Sequence, residues 1–170
     1  MKMRTVPVFS ISSGSVRKNP DHKYRIPRYK VGLVREGTAQ VPDRVVNGPR
    51  VVYDIFKEIF AEADREYFYI LCLDVKNKII GLNMVSMGTL NASVVHTREV
   101  FKAAILLNSA SIVGVHNHPS GAVDPSGDDL NITRALVAAG KILGIPFVDH
   151  MIIGQDGYLS IMETYPELRG

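Results

Sequence analysis

Apolar residues recur with two different periods along this chain, and the switches between them mark out its elements. From Val46 to Asp64, VNGPRVVYDIFKEIFAEAD places Val52, Ile55, Phe56, Ile59, Phe60 and Ala63 on one helical face. Pro49 falls in the first turn, where a missing N–H costs nothing. EYFYILCLDV (66–75) is a continuous apolar run and predicts a buried strand; KN is a tight turn, and KIIGLNMVSMG (78–88) is the returning strand of a hairpin. HTREVFKAAILLNS (96–109) goes back to helical spacing, with Val100, Ala104 and Leu107 on a common face and Thr97 as N-cap. ASIVGVH (110–116) is a short buried strand. SGDDLNITRALVAAGKILG (126–144) is a helix ending at Gly144, FVDHMIIG (147–154) a strand, QDG a turn and YLSIM (158–162) the last strand. This order predicts an α/β domain with a mixed central sheet flanked by helices.

The first 47 residues are less regular, and only 24–37 alternates in places. Residues 1–23 are polar and rich in turn formers, and YRIPRYKVGLVREG (24–37) reads as an extended edge segment in which Pro27 suits an edge. The chain therefore divides into a basic N-terminal arm or edge segment, 1–47, and a domain, 48–170. There is no internal repeat and no low-complexity tract.

Composition narrows the class. A chain of 170 residues, 46% hydrophobic, suits one compact domain with a real core. The single cysteine, Cys72, lies in an apolar run, which excludes an intrachain disulfide and a cysteine-based zinc cage and points to a reducing, cytoplasmic setting. The longest apolar candidate for a membrane span, ALVAAGKILGIPFV, is broken by Lys141 and Pro146. The basic N-terminus is interrupted by Pro7 and does not read as a signal peptide. Net charge is +3, but residues 1–50 hold 11 of the 20 Lys and Arg and only 3 of the 17 Asp and Glu, giving +8 there and −5 in the remainder. Such asymmetry fits an arm that meets nucleic acid or, equally, a solvated basic face.

The chemistry gathers in one loop, HNHPSGAVDPSGDD (116–129). Helix capping explains part of it: Ser126 as N-cap, Asp129 three residues on as the reciprocal partner, and Asp128 beside it favouring the positive end of the helix dipole. Capping gives no account of His116 and His118. In extended chain, residues i and i+2 point the same way, so these two imidazoles leave the strand aimed at one point. Asp129 returns a carboxylate from the start of the helix. Two neutral imidazoles and one carboxylate make a common three-ligand catalytic zinc set, and such a site needs a further carboxylate to take a proton from water. The loop also sits at a strand-to-helix junction, where open α/β sheets place their sites.

HNHP, the seven residues Pro119 to Pro125 and then SGDD together resemble the JAMM (JAB/MPN) metalloenzyme signature, H-x-H-x(7)-S-x-x-D. GTLNASVVHTREVFKAAILLNSASIVGVHNHPSG and VDHMIIG resemble runs of its RadC-like branch, a likeness that covers residues 48–161. The resemblance implies a JAB/MPN, cytidine-deaminase-like architecture. It implies one zinc ion per chain on His116, His118 and Asp129, with Ser126 hydrogen-bonding the metal water or an oxyanion. The family's general base is a Glu on an early strand, which Glu66 matches best; Glu99, at a helix start, is the rival. Members with known activity hydrolyse amide or isopeptide bonds, so a peptide or protein substrate is implied. RadC-like proteins have also carried a DNA-repair label, but residues 1–47 lack the room and pattern for the helix-hairpin-helix region of longer members.

Other residues have plainer readings. His150 reads as a hydrogen-bonded histidine behind the ligands, with Asp149 able to pair with it; His96 is a helix-start residue and His22 lies in irregular chain. Asp124 and Asp128 are loop and dipole residues, and the methionines fill core. A zinc nucleobase deaminase needs H-x-E and P-C-x-x-C, which one cysteine and His-Asn-His exclude. Cys72 sits mid-strand without a neighbouring base to activate it. Two alternatives to hydrolysis stand: an inactive interaction module, and a nucleic-acid-associated protein. The second rests on Arg17, Lys18, Lys23, Arg25, Arg28, Lys30 and Arg35 with Tyr24 and Tyr29 among them, which predicts weak, non-specific, salt-sensitive binding.

Overall fold

The structure, a computed structural model, describes residues 26–88, 95–155 and 157–169. The chain falls into two units, residues 1–31 and 32–170. The described part of the first, 26–31, forms no helix or strand. In the second, the elements run α1 (Pro49–Ile59), β1 (Tyr67–Leu73), β2 (Ile79–Met87), α2 (Thr97–Leu106), β3 (Ser111–Asn117), α3 (Gly127–Leu143), β4 (Phe147–Ile153), β5 (Tyr158–Ser160), a short α4 (Ile161–Thr164) and a 3-10 turn (Pro166–Arg169).

The sheet has five strands in the order β2-β1-β3-β4-β5. β1 runs antiparallel to both β2 and β3, β3 is parallel to β4 through the α3 crossover, and β5 returns antiparallel. It is the mixed sheet that the apolar pattern predicts. β3 is central and buried at every position. Alternation along β1 sorts the core onto two faces. Phe68, Ile70 and Cys72 pack with Val100, Phe101 and Ala104 of α2 and Leu136 of α3, while Leu71 and Leu73 pack with Val52, Ile55 and Phe56 of α1. Full burial of a Phe or Ile side chain contributes about 1.5–3 kcal/mol, so the two faces carry most of the stability.

Four local expectations are corrected. Residues 26–40, within the predicted edge segment and just beyond it, form no strand; their exposed side chains bury nothing, and the first pairing upstream of α1 is the bridge of Val45 to Lys78 at the hairpin turn. α1 stops at Ile59, short of Phe60 and Ala63, because the Ala61 and Ala63 amides turn to the carbonyls of Glu58 and Phe60 three residues back. Thr97 is the first residue of α2 rather than its cap; His96 is the cap and offers no side-chain bond. The last strand ends at Ser160, whose hydroxyl caps α4 by accepting the Glu163 N–H at 3.1 Å.

Candidate metal centre

The two histidines leave the central strand at its C-terminal end. His116 lies in β3 beside Ile152 of β4, and the His118 N–H extends the parallel pairing to Ile153 O at 3.0 Å. That fixes both Cα positions, and the two-residue spacing turns both rings to the α3 side of the sheet. The loop turns at Gly121, whose φ of 82° favours glycine, and its N–H bonds back to the His118 carbonyl at 2.9 Å. Ser126 then opens α3 with a full capping box. Ser126 Oγ accepts the Asp129 N–H at 3.1 Å, and Asp129 Oδ2 accepts the Ser126 N–H at 2.7 Å and its O–H at 2.5 Å. Capping and chemistry are not rivals here, because the box is what aims the carboxylate.

Asp129 Oδ1 stands 3.2 Å from His116 Nε2, and Oδ2 stands 3.7 Å from His118 Nε2. The two Nε2 atoms are 3.0 Å apart. His118 Nδ1 donates to the Ala122 carbonyl at 3.0 Å, which leaves its Nε2 to face the cluster. Burial pushes the Asp129 carboxyl upward, but the facing rings of His116 and His118 and the Ser126 hydroxyl outweigh it and hold the group well below the usual carboxylate range. Asp129 is therefore an anion. Its hydrogen bond raises the pKa of His118 against the opposing effect of burial. Two ring nitrogens and a carboxylate crowd one point, an arrangement that calls for a positive charge among them, whether a proton or a metal ion. The ligand atoms of His116, His118 and Asp129 all lie within 4.8 Å of one another. A tetrahedral zinc with bonds of about 2.0–2.1 Å separates its ligands by roughly 3.3–3.4 Å, close to the spacings found. The residues fit a metal ion of that kind.

Residues 46–166 match the RadC-like JAB domain. This chain belongs to that family. Curated relatives carry the name UPF0758 protein: one from Methanosarcina barkeri is 45% identical over 75% of this chain and 56% of the relative. One from Desulfitobacterium hafniense is 44% identical over 70% and 52%. One from Caldanaerobacter subterraneus is 48% identical over 69% and 51%. The chain thus spans about half the length of the curated relatives it matches. Their names state no activity.

Within this RadC-like JAB domain the remaining candidates separate clearly. Phe68 of β1 pairs with His116 in the last pair of that ladder, and Glu66 lies two residues before it, just ahead of the strand. Its negative charge helps to raise the His118 pKa. Glu99 is engaged elsewhere, with Lys102 and with Arg98 at 3.6 Å, and the Lys102 hydrogen bond lowers its pKa. Ser126 is held on Asp129 as described. Asp124 and Asp128 are exposed and outside the cluster. Cys72 is buried, which pushes its thiol pKa up and disfavours the thiolate. His22 lies outside the described residues.

His150 sits directly behind His116, fully buried, its Nε2 2.9 Å from His116 Nδ1. Burial pushes its pKa well below the ordinary imidazole value. Asp149 does not pair with its ring. That carboxylate, raised in pKa by burial, accepts the His150 backbone N–H at 2.7 Å and the Ser160 hydroxyl at 2.8 Å instead. Three participants were missed from sequence. Thr133 bonds His150 Nδ1 at 2.6 Å; it lies four residues after Asp129 and so on the same face of α3, a spacing that was there to be read. Asn117 bonds the backbone on both sides of Glu66; a polar residue in a buried strand must find partners. Phe68 stacks on His116 with an 11° tilt, and no pattern in the sequence announces that. Gly114 makes the aromatic wall possible, since a Cβ there would meet the Phe147 ring at 2.6 Å and Phe68 at 3.0 Å.

Proposed function

We propose that this RadC-like JAB domain is a zinc-dependent hydrolase of peptide or isopeptide bonds. The observation that carries the reading is the meeting of His116 Nε2, His118 Nε2 and the Asp129 carboxylate at one point; the charge of Glu66 acting on His118 supports its choice as base. One zinc ion per chain, held by those three residues, supplies Lewis acidity and a water acidified to about neutral pH. Glu66 accepts the proton of the attacking water and returns it to the leaving amine, a role worth roughly 10²–10⁴-fold in rate. The Ser126 hydroxyl donates to the Asp129 carboxylate; turning its O–H from Asp129 Oδ2 toward the substrate gives a donor for the developing oxyanion. Phe68 and the buried His150 keep water from the rear of the site. The single buried Cys72 suits a cytoplasmic setting.

The test is direct. The purified chain is analysed for metal, then offered fluorogenic peptides and lysine-isopeptide probes with and without added zinc. One zinc per chain and cleavage that a chelator abolishes and zinc restores are expected. Cleavage unaffected by thorough chelation overturns the reading.

A second reading rests on charge. Arg28, Lys30, Arg35 and Arg44 are exposed, and the arm, residues 1–47, binds polyanions weakly and without sequence choice, with Kd of about 10⁻⁴–10⁻⁶ M at physiological salt. Titrating DNA across a salt series, with and without residues 1–47, tests it. Tight, sequence-dependent binding that survives high salt overturns it and restores the DNA-repair reading; no binding even at low salt removes it.

A further inference from the structure

Behind the triad runs a chain of hydrogen bonds that the hydrolytic reading does not use. Thr133 Oγ1 donates to the backbone carbonyl of Asp129 at 2.5 Å. It also lies 2.6 Å from His150 Nδ1, and His150 Nε2 lies 2.9 Å from His116 Nδ1. A hydroxyl has one proton, and a carbonyl can only accept. With that proton on the Asp129 carbonyl, Thr133 Oγ1 accepts from His150, so His150 carries hydrogen on Nδ1. His150 is 0% exposed, and the groups touching its ring are His116, Thr133 and the rings of Phe68 and Phe147, with the Asp129 carboxylate on the far side of His116. A ring so placed is neutral, and its Nε2 is a bare acceptor. His116 must then donate from Nδ1. Its own Nε2 is left bare, facing Asp129 and His118.

We propose that Thr133 and His150 are positioning residues of the metal centre, fixing His116 in the tautomer whose Nε2 can bind a cation. This rests on the metal-site reading above and deepens it. A ligating histidine commonly gives its other N–H to a carboxylate, a carbonyl or water. Here it gives it to a second imidazole, and the direction of that bond is set two steps away by the first turn of α3. Asp129 consequently acts twice, as a ligand through its carboxylate and as the anchor of the relay through its carbonyl. The helix that brings the third ligand also decides which nitrogen the first ligand presents. A shift of α3 that breaks one function breaks the other.

The test needs metal alone and no substrate. The full chain, labelled with ¹⁵N in its histidines and stripped of metal, is examined at pH 8 by long-range ¹H–¹⁵N correlation, which reports the tautomer of each ring. His116 and His150 are both expected as Nδ1–H. The opposite polarity, with Thr133 donating to His150 and hydrogen on His116 Nε2, overturns the proposal, and this measurement uses no variant that might fail to fold. Zinc is then titrated in competition with a chelator. Thr133→Val removes the hydroxyl at nearly constant shape and is expected to weaken zinc binding about 10–100-fold, with mixed tautomers at His116. Thr133→Ser is expected to restore both. If Thr133→Val binds zinc as the parent does and keeps the Nδ1–H tautomers, the proposal is wrong and the metal site stands. If the parent chain binds no zinc, it is the metal-site reading that falls, and the tautomers still decide the relay.

Discussion

The side-chain amide of Asn117 grips the backbone of Tyr67, its Oδ1 accepting the Tyr67 N–H at 2.8 Å while its Nδ2 donates to the Arg65 carbonyl at 2.9 Å. The two bonded peptides flank Glu66. Asn117 lies between His116 and His118, so the strand that delivers both histidines also holds the backbone of the proposed base. Asn117→Ala unmakes both bonds and leaves a part-buried donor and acceptor unpaired, a loss of about 1–3 kcal/mol. Hydrogen exchange at the Tyr67 amide should accelerate well beyond the change at Ile70, zinc content should stay as in the parent, and turnover should drop. Uniform acceleration across β1 would mean that Asn117 serves general stability and does not place Glu66.

The capping box makes two predictions that differ for its two members. Ser126→Ala removes the hydroxyl that accepts the Asp129 N–H and should cost ~1 kcal/mol of stability, with zinc retained. Asp129→Ala removes the cap partner and a ligand together, and should lose zinc as well as stability. His118→Ala should lose zinc and leave the cap intact. Metal analysis beside chemical denaturation separates the three. Full zinc occupancy in both Asp129→Ala and His118→Ala would reduce this motif to a helix cap.

Glu66 and Glu99 are separated by one pair of conservative variants. Glu66→Gln keeps the shape and loses the basic oxygen, so it should bind zinc normally and lose roughly 10²–10⁴-fold in turnover. Glu99→Gln should cost little, since it only loosens exposed, solvent-screened pairs with Lys102 and Arg98. An active Glu66→Gln beside a dead Glu99→Gln would reverse the assignment.

How much of this was legible beforehand follows from the kind of interaction involved. The strands and long helices were, because burying Leu71 on one face and Ile70 on the other calls for a continuous apolar run, while a helix covering one face calls for helical spacing. The cluster of His116, His118 and Asp129 was too, since its spacing is set by chain geometry within one loop. What escaped depends on registers between distant segments. Phe68 meets His116 only because β1 pairs with β3 at one particular offset, and Asn117 reaches Arg65 and Tyr67 for the same reason. His150 was placed behind the ligands correctly, but its partner was misjudged: the adjacent Asp149 points to the other side of β4, as neighbours on a strand do. The early stop of α1 and the turn into α4 at Ser160 are end effects, where two main-chain bonds in one case and a side-chain cap in the other outweigh the apolar pattern.

Acid and base should act on the metal-free and zinc-loaded proteins in opposite directions. Hydrogen bonding to Asp129 raises the folded pKa of His118, so without metal this group's contribution is fully present below about pH 6.5 and is lost as pH rises through the raised value. The folded pKa of Asp129 is depressed, so its contribution is present above about pH 3.9 and is lost only as pH falls toward a much lower value. The metal-free pair is therefore most stabilising between about pH 4 and 6.5. Zinc requires the His118 nitrogen without its proton, so metal binding competes with the proton that stabilises the empty site. The rise in Tm on adding zinc should be small near pH 5.5, grow through neutrality and level off above the raised His118 pKa, with close to one proton released per zinc bound on the acid side. Thermal unfolding with excess zinc and with chelator at pH 5.5, 6.5, 7.5 and 8.5, together with calorimetry in two buffers of different ionisation enthalpy, measures both quantities. A zinc-dependent rise in Tm that is flat across this range, with no proton released, would show that the cation does not displace a proton at His118, and the three-ligand site would have to be redrawn without it.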